Sequence, residues 1–112
     1  MQISAKILNE SVVVPFLSKF VVKTTTATLA VYEQIVHVTT AGGAFTLTMP
    51  NVTEAKGRTY SIHLVAGETT ACTLTALGSL DWPGDFTLDA TNDRVVLYSD
   101  GARWSTVFTG VA

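Results

Sequence analysis

A chain of 112 residues is long enough for one domain with a real core and too short for two. Its seven basic residues are scattered against nine acidic ones, for a net charge of −2, so no basic stripe exists to neutralise phosphates and nucleic-acid binding is not expected. Charged residues make up only 14% and hydrophobic ones 47%, which leaves threonine, with eighteen copies, to cover much of the exterior; such a surface suits a protein that hides part of itself in an assembly.

Residues 1–10 carry modest hydrophobicity and read as a terminal arm or a short strand. Residues 12–23 are apolar on both parities, with Val12, Val14 and Phe16 on one and Val13 and Leu17 on the other. A strand of that kind needs cover on both faces, supplied either by a neighbouring subunit or by the domain itself. Val12, Val13, Val14, Phe16, Leu17 and Phe20 are therefore the candidate interface with a neighbouring copy or another protein. Pro15, Ser18 and Lys19 interrupt the run, which falls short of the ~20 residues needed to cross a bilayer, so no membrane partner is expected. Asn9 and Glu10 sit where a signal peptide would be apolar. The expected division is an N-terminal arm or edge segment at 1–26 and a β-sandwich domain at 27–112.

Residues 27–40, rich in Val, Ile, Tyr and Thr, predict a long strand or a bent pair, and Gly42-Gly43 permits a reversal into the next strand. There Phe45, Leu47 and Met49 alternate with Thr46 and Thr48, the period-two pattern of a half-buried strand, and Pro50 stops it for want of an N–H. Asn51 or Thr53 caps a short helical turn near 52–56, with Gly57 at the left-handed stop. In the following strand Tyr60, Ile62 and Leu64 share one face and Thr59, Ser61 and His63 the other. Gly67-Glu68 turns into a strand whose apolar members are Cys72, Leu74 and Ala76. Residues 78–93 predict a loop holding a short strand at 86–88. Two final strands, 94–98 and 103–108, are joined by Ser99-Asp100-Gly101, and Asp-Gly between apolar runs is a strong hairpin signal. Short strands with turns every 8–12 residues give an all-β fold: a single antiparallel β-sandwich or jelly-roll-like barrel.

No serine elbow or cysteine–histidine pairing marks a nucleophile, and no catalytic residue, cofactor or metal is assigned. The single Cys72 excludes an intramolecular disulfide and is expected to be a buried, inert thiol. His37 and His63 stand alone in strands; two histidines can meet across a sheet to bind metal, but with no third ligand at a useful spacing no metal site is expected. His63 is expected at the surface, and His37, on one face with Glu33 and Ile35, at an interface. Asp81, Asp85, Asp89 and Asp93 recur every fourth residue, but Pro83 and Gly84 forbid a continuous helix there, and the spacing of a calcium loop is missing. Trp104 belongs in the core. Trp82 either covers the end of the sandwich or, with Asp85, forms a loop contact.

Phe-Thr-Leu-Thr-Met-Pro at 45–50, Glu-Ala-Lys-Gly at 54–57 and Asp-Gly-Ala-Arg-Trp at 100–104 lie within a stretch, 30–109, that resembles small β-sandwich modules from virions of tailed bacteriophages. The resemblance implies a virion structural protein without enzymatic activity. A chain that begins at Met1, is one domain long and has no fibrous region looks like a free-standing accessory protein. The expectation is a capsid decoration, or cement, protein on the outer surface of the phage head, a homotrimer whose partner is the major capsid protein. Residues 1–26 match no particular decoration family. The competing expectation is a tail-fibre or receptor-binding module whose loops, including residues 81–86, hold a host glycan or protein.

Overall fold

Alternate residues are buried along most of the longer strands, so the fold is settled by where those buried faces meet. The computed structural model describes residues 20–67, 70–77 and 82–111. Among them run nine strands: β1 (Val21–Lys23), β2 (Ala27–Thr28), β3 (Ile35–Thr39), β4 (Phe45–Met49), β5 (Thr59–Ala66), β6 (Cys72–Ala76), β7 (Phe86–Leu88), β8 (Arg94–Ser99) and β9 (Trp104–Gly110). They form two mixed sheets, ordered β1-β3-β5-β8-β9 and β2-β4-β6-β7.

The chain changes sheet at each step from β1 to β6. Consequently β1, β3 and β5 are parallel neighbours in one sheet, and β2, β4 and β6 are parallel neighbours in the other. Parallel pairs need long crossovers, and here a strand of the opposite sheet lies within each one. Only then does the chain turn back: β7 pairs antiparallel with β6, β8 with β5, and β9 with β8.

The all-β expectation holds, but the antiparallel order is corrected to a mixed one. Gly43, at φ 131°, does help reverse the chain; the reversal leads from one sheet into the other instead of closing a hairpin. The jelly-roll-like barrel is also corrected, because both sheets are open, with β1 and β9 as edges of one and β2 and β7 as edges of the other. Of the two readings of 27–40, one long strand or a bent pair, the chain forms two strands, β2 and β3, with a break between them in which Leu29 donates its N–H to the Thr48 carbonyl, Glu33 Oε1 accepts the Ala30 N–H at 2.8 Å, and Tyr60 Oη donates to the Val31 carbonyl. Glu33 also pairs with Lys23 at 3.1 Å, tying this break to β1.

Nor is there a helix at 52–56. Asn51 Oδ1 accepts the N–H groups of Thr53 and Glu54, and the Asn51 carbonyl accepts that of Ala55 at 3.0 Å. This single turn then stops, because Gly57, at φ 81°, donates its N–H to the Ser99 carbonyl and so feeds the chain into β5. The buried Ser99 hydroxyl donates to the Val52 carbonyl at 2.6 Å and accepts the Gly101 N–H at 3.0 Å. The Glu-Ala-Lys-Gly turn and the Asp-Gly hairpin are thereby bonded together.

Register stacks like on like. Val36, Ile62 and Val95 form one inward rank of the five-stranded sheet, while Leu47 stacks on Leu74, and Phe45, Cys72 and Leu88 align, in the other. These residues belong to one buried cluster with Tyr60 and Trp104, whose rings meet edge to face at 5.4 Å. Trp104 lies in the core, as its place in the last strand indicates.

Replacing a buried rank member leaves a cavity, so Leu47→Ala should cost about 2–5 kcal/mol in urea unfolding; Thr46→Ala, on the opposite face of the same strand, should stay within about 1 kcal/mol. Asp100 Oδ1 accepts the N–H groups of Ala102 and Arg103, both at 2.8 Å, and these bonds hold its carboxyl below the ordinary carboxylate range. A depressed native pKa gives stability that is present above the unfolded value and lost as pH falls through the folded one. Acid titration of unfolding should therefore show a smaller loss in Asp100→Asn than in the parent chain.

Candidate functional site

Two faces of the fold point away from the shared core, and their chemistry differs. The outer face of the four-stranded sheet is built of threonine in register: Thr28 beside Thr48 and Thr75, and Thr46 beside Thr73 and Thr87. Hydroxyls and γ-methyls on a pleated surface are compatible with water and with strand geometry alike.

The outer face of the five-stranded sheet carries large apolar groups instead. Phe20, Val22, Ile35, Tyr98 and Phe108 are 41–56% exposed. Ile35, Ser61, Val96 and Phe108 form one outward rank; Val22, His37, His63, Arg94 and Gly110 form the next. The Phe20 ring stacks on His37 at 4.2 Å, and a β-carbon added to Gly110 would strike the Phe108 ring at 3.0 Å, so glycine makes room for that phenyl. In these two ranks Arg94 is the one arginine or lysine. A contiguous apolar sheet face of this size is the kind of patch that marks an interaction site.

The sequence-derived residues are distributed as follows. Phe20 joins this face, and His37 and Ile35 lie on it together as their parity indicates. His63, expected at the surface, is half-buried beside His37. Val12, Val13, Val14, Phe16 and Leu17 lie outside the described residues. Trp82 and Asp85 are brought together: the indole Nε1–H donates to Asp85 Oδ1 at 2.9 Å, and the ring meets Phe86 edge to face at 5.7 Å. Trp82 is half-buried against the core cluster. Asp93 is separated from this pair in role, since its buried Oδ2 accepts the N–H groups of Asp89 and Ala90 at 3.1 Å and shapes the turn before β8. No group of three or more potential metal ligands occurs among the described residues. None of their helices is long and apolar enough to cross a membrane.

Tyr98, Val96 and Phe108 were not among the residues singled out from sequence. Their signal was available in Val95-Val96-Leu97-Tyr98, which is apolar on both parities in a strand whose inner face needs only one. A bulge between Val96 and Leu97 shifts the pairing with β9 and sets Phe108 opposite Val96.

No protein-family model, curated protein or solved structure matches this chain. Its chemistry must therefore be read from its own surfaces.

Cys72 lies within the core, where burial pushes its thiol up to about 11. A raised pKa keeps the unreactive thiol form at physiological pH. Thiol-specific labelling at pH 8 should therefore fail on the native chain and go to completion in denaturant; rapid native labelling would place Cys72 outside the core.

Proposed function

We propose that this chain is a non-enzymatic virion structural protein, a capsid decoration or cement protein that binds the assembled phage head as a homotrimer. The observation that carries this reading is the unequal chemistry of the two outer faces. A threonine-covered face is suited to solvent; a face bearing Phe20, Val22, Ile35, Tyr98 and Phe108 is suited to cover by another protein surface. The resemblance of the Glu-Ala-Lys-Gly turn and the Asp-Gly hairpin to phage modules supports the same assignment, with the two sheets as the layers of a β-sandwich.

Five strands about 4.8 Å apart, with about five residues each, make a face on the order of 400 Å². A standard protein–protein interface takes roughly 800 Å² from each partner. The remaining area is assigned to Val12, Val13, Val14, Phe16 and Leu17, which precede β1 in the sequence and lie outside the described residues. Binding the shell but not its separated subunits stabilises the shell by mass action, with no chemistry required. The site of action is then the outer surface of the head, against the major capsid protein. The receptor-binding alternative rests on Trp82, whose indole N–H is engaged by Asp85 and whose ring packs on Phe86, leaving less of it for a glycan.

Charge placed on the apolar face should break attachment without unfolding the domain. Ile35→Asp and Phe108→Asp are expected to lose co-sedimentation with capsids of the parent phage by about tenfold or more, since each exposed apolar contact is worth about 1.5–3 kcal/mol when covered, while circular dichroism remains that of the parent. Undiminished co-sedimentation of both variants, or no association of the parent chain with heads, overturns the reading.

A further inference from the structure

At the centre of the outer face of the five-stranded sheet, His37 and His63 lie side by side in register on parallel strands β3 and β5. Their rings stand edge to face with centroids 5.8 Å apart. Two imidazoles sharing one tetrahedral ion, each with a metal–nitrogen bond of about 2.0–2.1 Å, hold their centroids about 5–6 Å apart. The 5.8 Å between the centroids falls within that range.

Each ring is also held by a neighbour that leaves a nitrogen free. Phe20 covers a flat face of His37, at 4.2 Å and 28° between planes, which leaves the in-plane nitrogen lone pair open. Asn92 Oδ1 lies 3.3 Å from His63 Nε2; in the tautomer protonated at Nε2, that nitrogen donates to Asn92 and Nδ1 keeps its lone pair. An amide or carboxylate oxygen on the second ring nitrogen is the usual outer support of a metal-bound histidine. Asn92 is itself fixed for this role: it is the one non-glycine residue with positive φ among those described, at 80°, and its N–H donates to the Leu64 carbonyl at 2.8 Å.

We propose that His37 and His63 form a cross-strand binding site for a divalent transition-metal ion of the imidazole-preferring kind, zinc or copper, with Asn92 as the residue that positions His63. Two protein nitrogens fill half of a tetrahedral shell. Water completes it in the free chain, and the open positions face outward, toward whatever covers the sheet. Arg94, next to His63 in the same rank, is exposed, with its stem beside Gly110, and is the nearest fixed cation to the pair along that rank. The site is intramolecular and does not depend on the decoration reading.

The test is calorimetric titration of the untagged full chain with Zn²⁺ at pH 7.5, with Ca²⁺, which prefers oxygen ligands, as the control. One zinc per chain is expected, with no heat from calcium. His37→Ala and His63→Ala should each abolish saturable binding, and Asn92→Gly, which keeps the positive φ accessible, should weaken it about tenfold. Imidazole NMR of the parent chain should show zinc-dependent shifts at both histidines. Absence of zinc binding by the parent chain, or equal binding by a folded His37→Ala/His63→Ala variant, overturns the site. An unchanged affinity in Asn92→Gly overturns the nitrogen assignment.

Discussion

The rest of the structure depends on one constraint: a chain that changes sheet at each step from β1 to β6 must bury, at each pass, a side chain that fits the one buried a full pass earlier. Val36 is followed 26 positions later by its neighbour Ile62, and Phe45 is followed 27 positions later by Cys72. Because each sheet grows by parallel addition, these neighbours point the same way and stack in ranks. The apolar area is buried in one cluster drawn from both sheets, and the backbone groups of each strand are met within its own sheet. A polar residue at one inward position would face not one partner but a whole rank across the sheet, which explains why the inward ranks are almost wholly aliphatic or aromatic.

Parallel addition leaves a problem at its end, since each sheet still presents an edge after β6. The C-terminal strands extend both sheets antiparallel and move those edges outward to β7 and β9. β7 covers β6 and β8 covers β5, after which the β8–β9 hairpin places Ser99 where its hydroxyl and backbone can bind Val52, Gly57 and Gly101. The hairpin therefore fastens the turn that feeds β5. Two short motifs that lie more than forty positions apart in the chain act as one clasp, which gives a physical reason for their occurring together.

Much of this was legible in the sequence, and the limits are instructive. β4, β5, β6, β7 and the closing hairpin follow from alternation and from turn residues, because both are local. Gly42-Gly43 announced a reversal correctly, yet a glycine pair looks the same whether the chain returns to the same sheet or passes to the facing one. The antiparallel expectation failed at that point and not at the strands themselves. The turn at 52–56 has a helical cap in Asn51, but one turn without a second is too short to propagate, and the Gly57 bond to Ser99 ends it. Ile35 and His37 could be assigned to a common face from parity; Phe108 could not, because the extra residue Val107 in β9 shifts its pairing with β8.

The same reasoning explains why the most distinctive pair on the surface was visible only as two isolated histidines. His37 and His63 are 26 positions apart, the same offset that joins Val36 to Ile62. Once the winding is known, each inward pair fixes an outward pair one position away, because successive side chains take opposite faces. The hydrophobic register that packs the core thus also brings His37 beside His63, and the left-handed Asn92, bonded through its N–H to Leu64 of the same strand, follows from the same alignment. Core packing and surface chemistry in this fold are consequently a single choice: a one-residue slip of β3 against β5 would turn His37 inward and expose Val36 and Val38, so the register that packs the core is also the one that sets His37 beside His63.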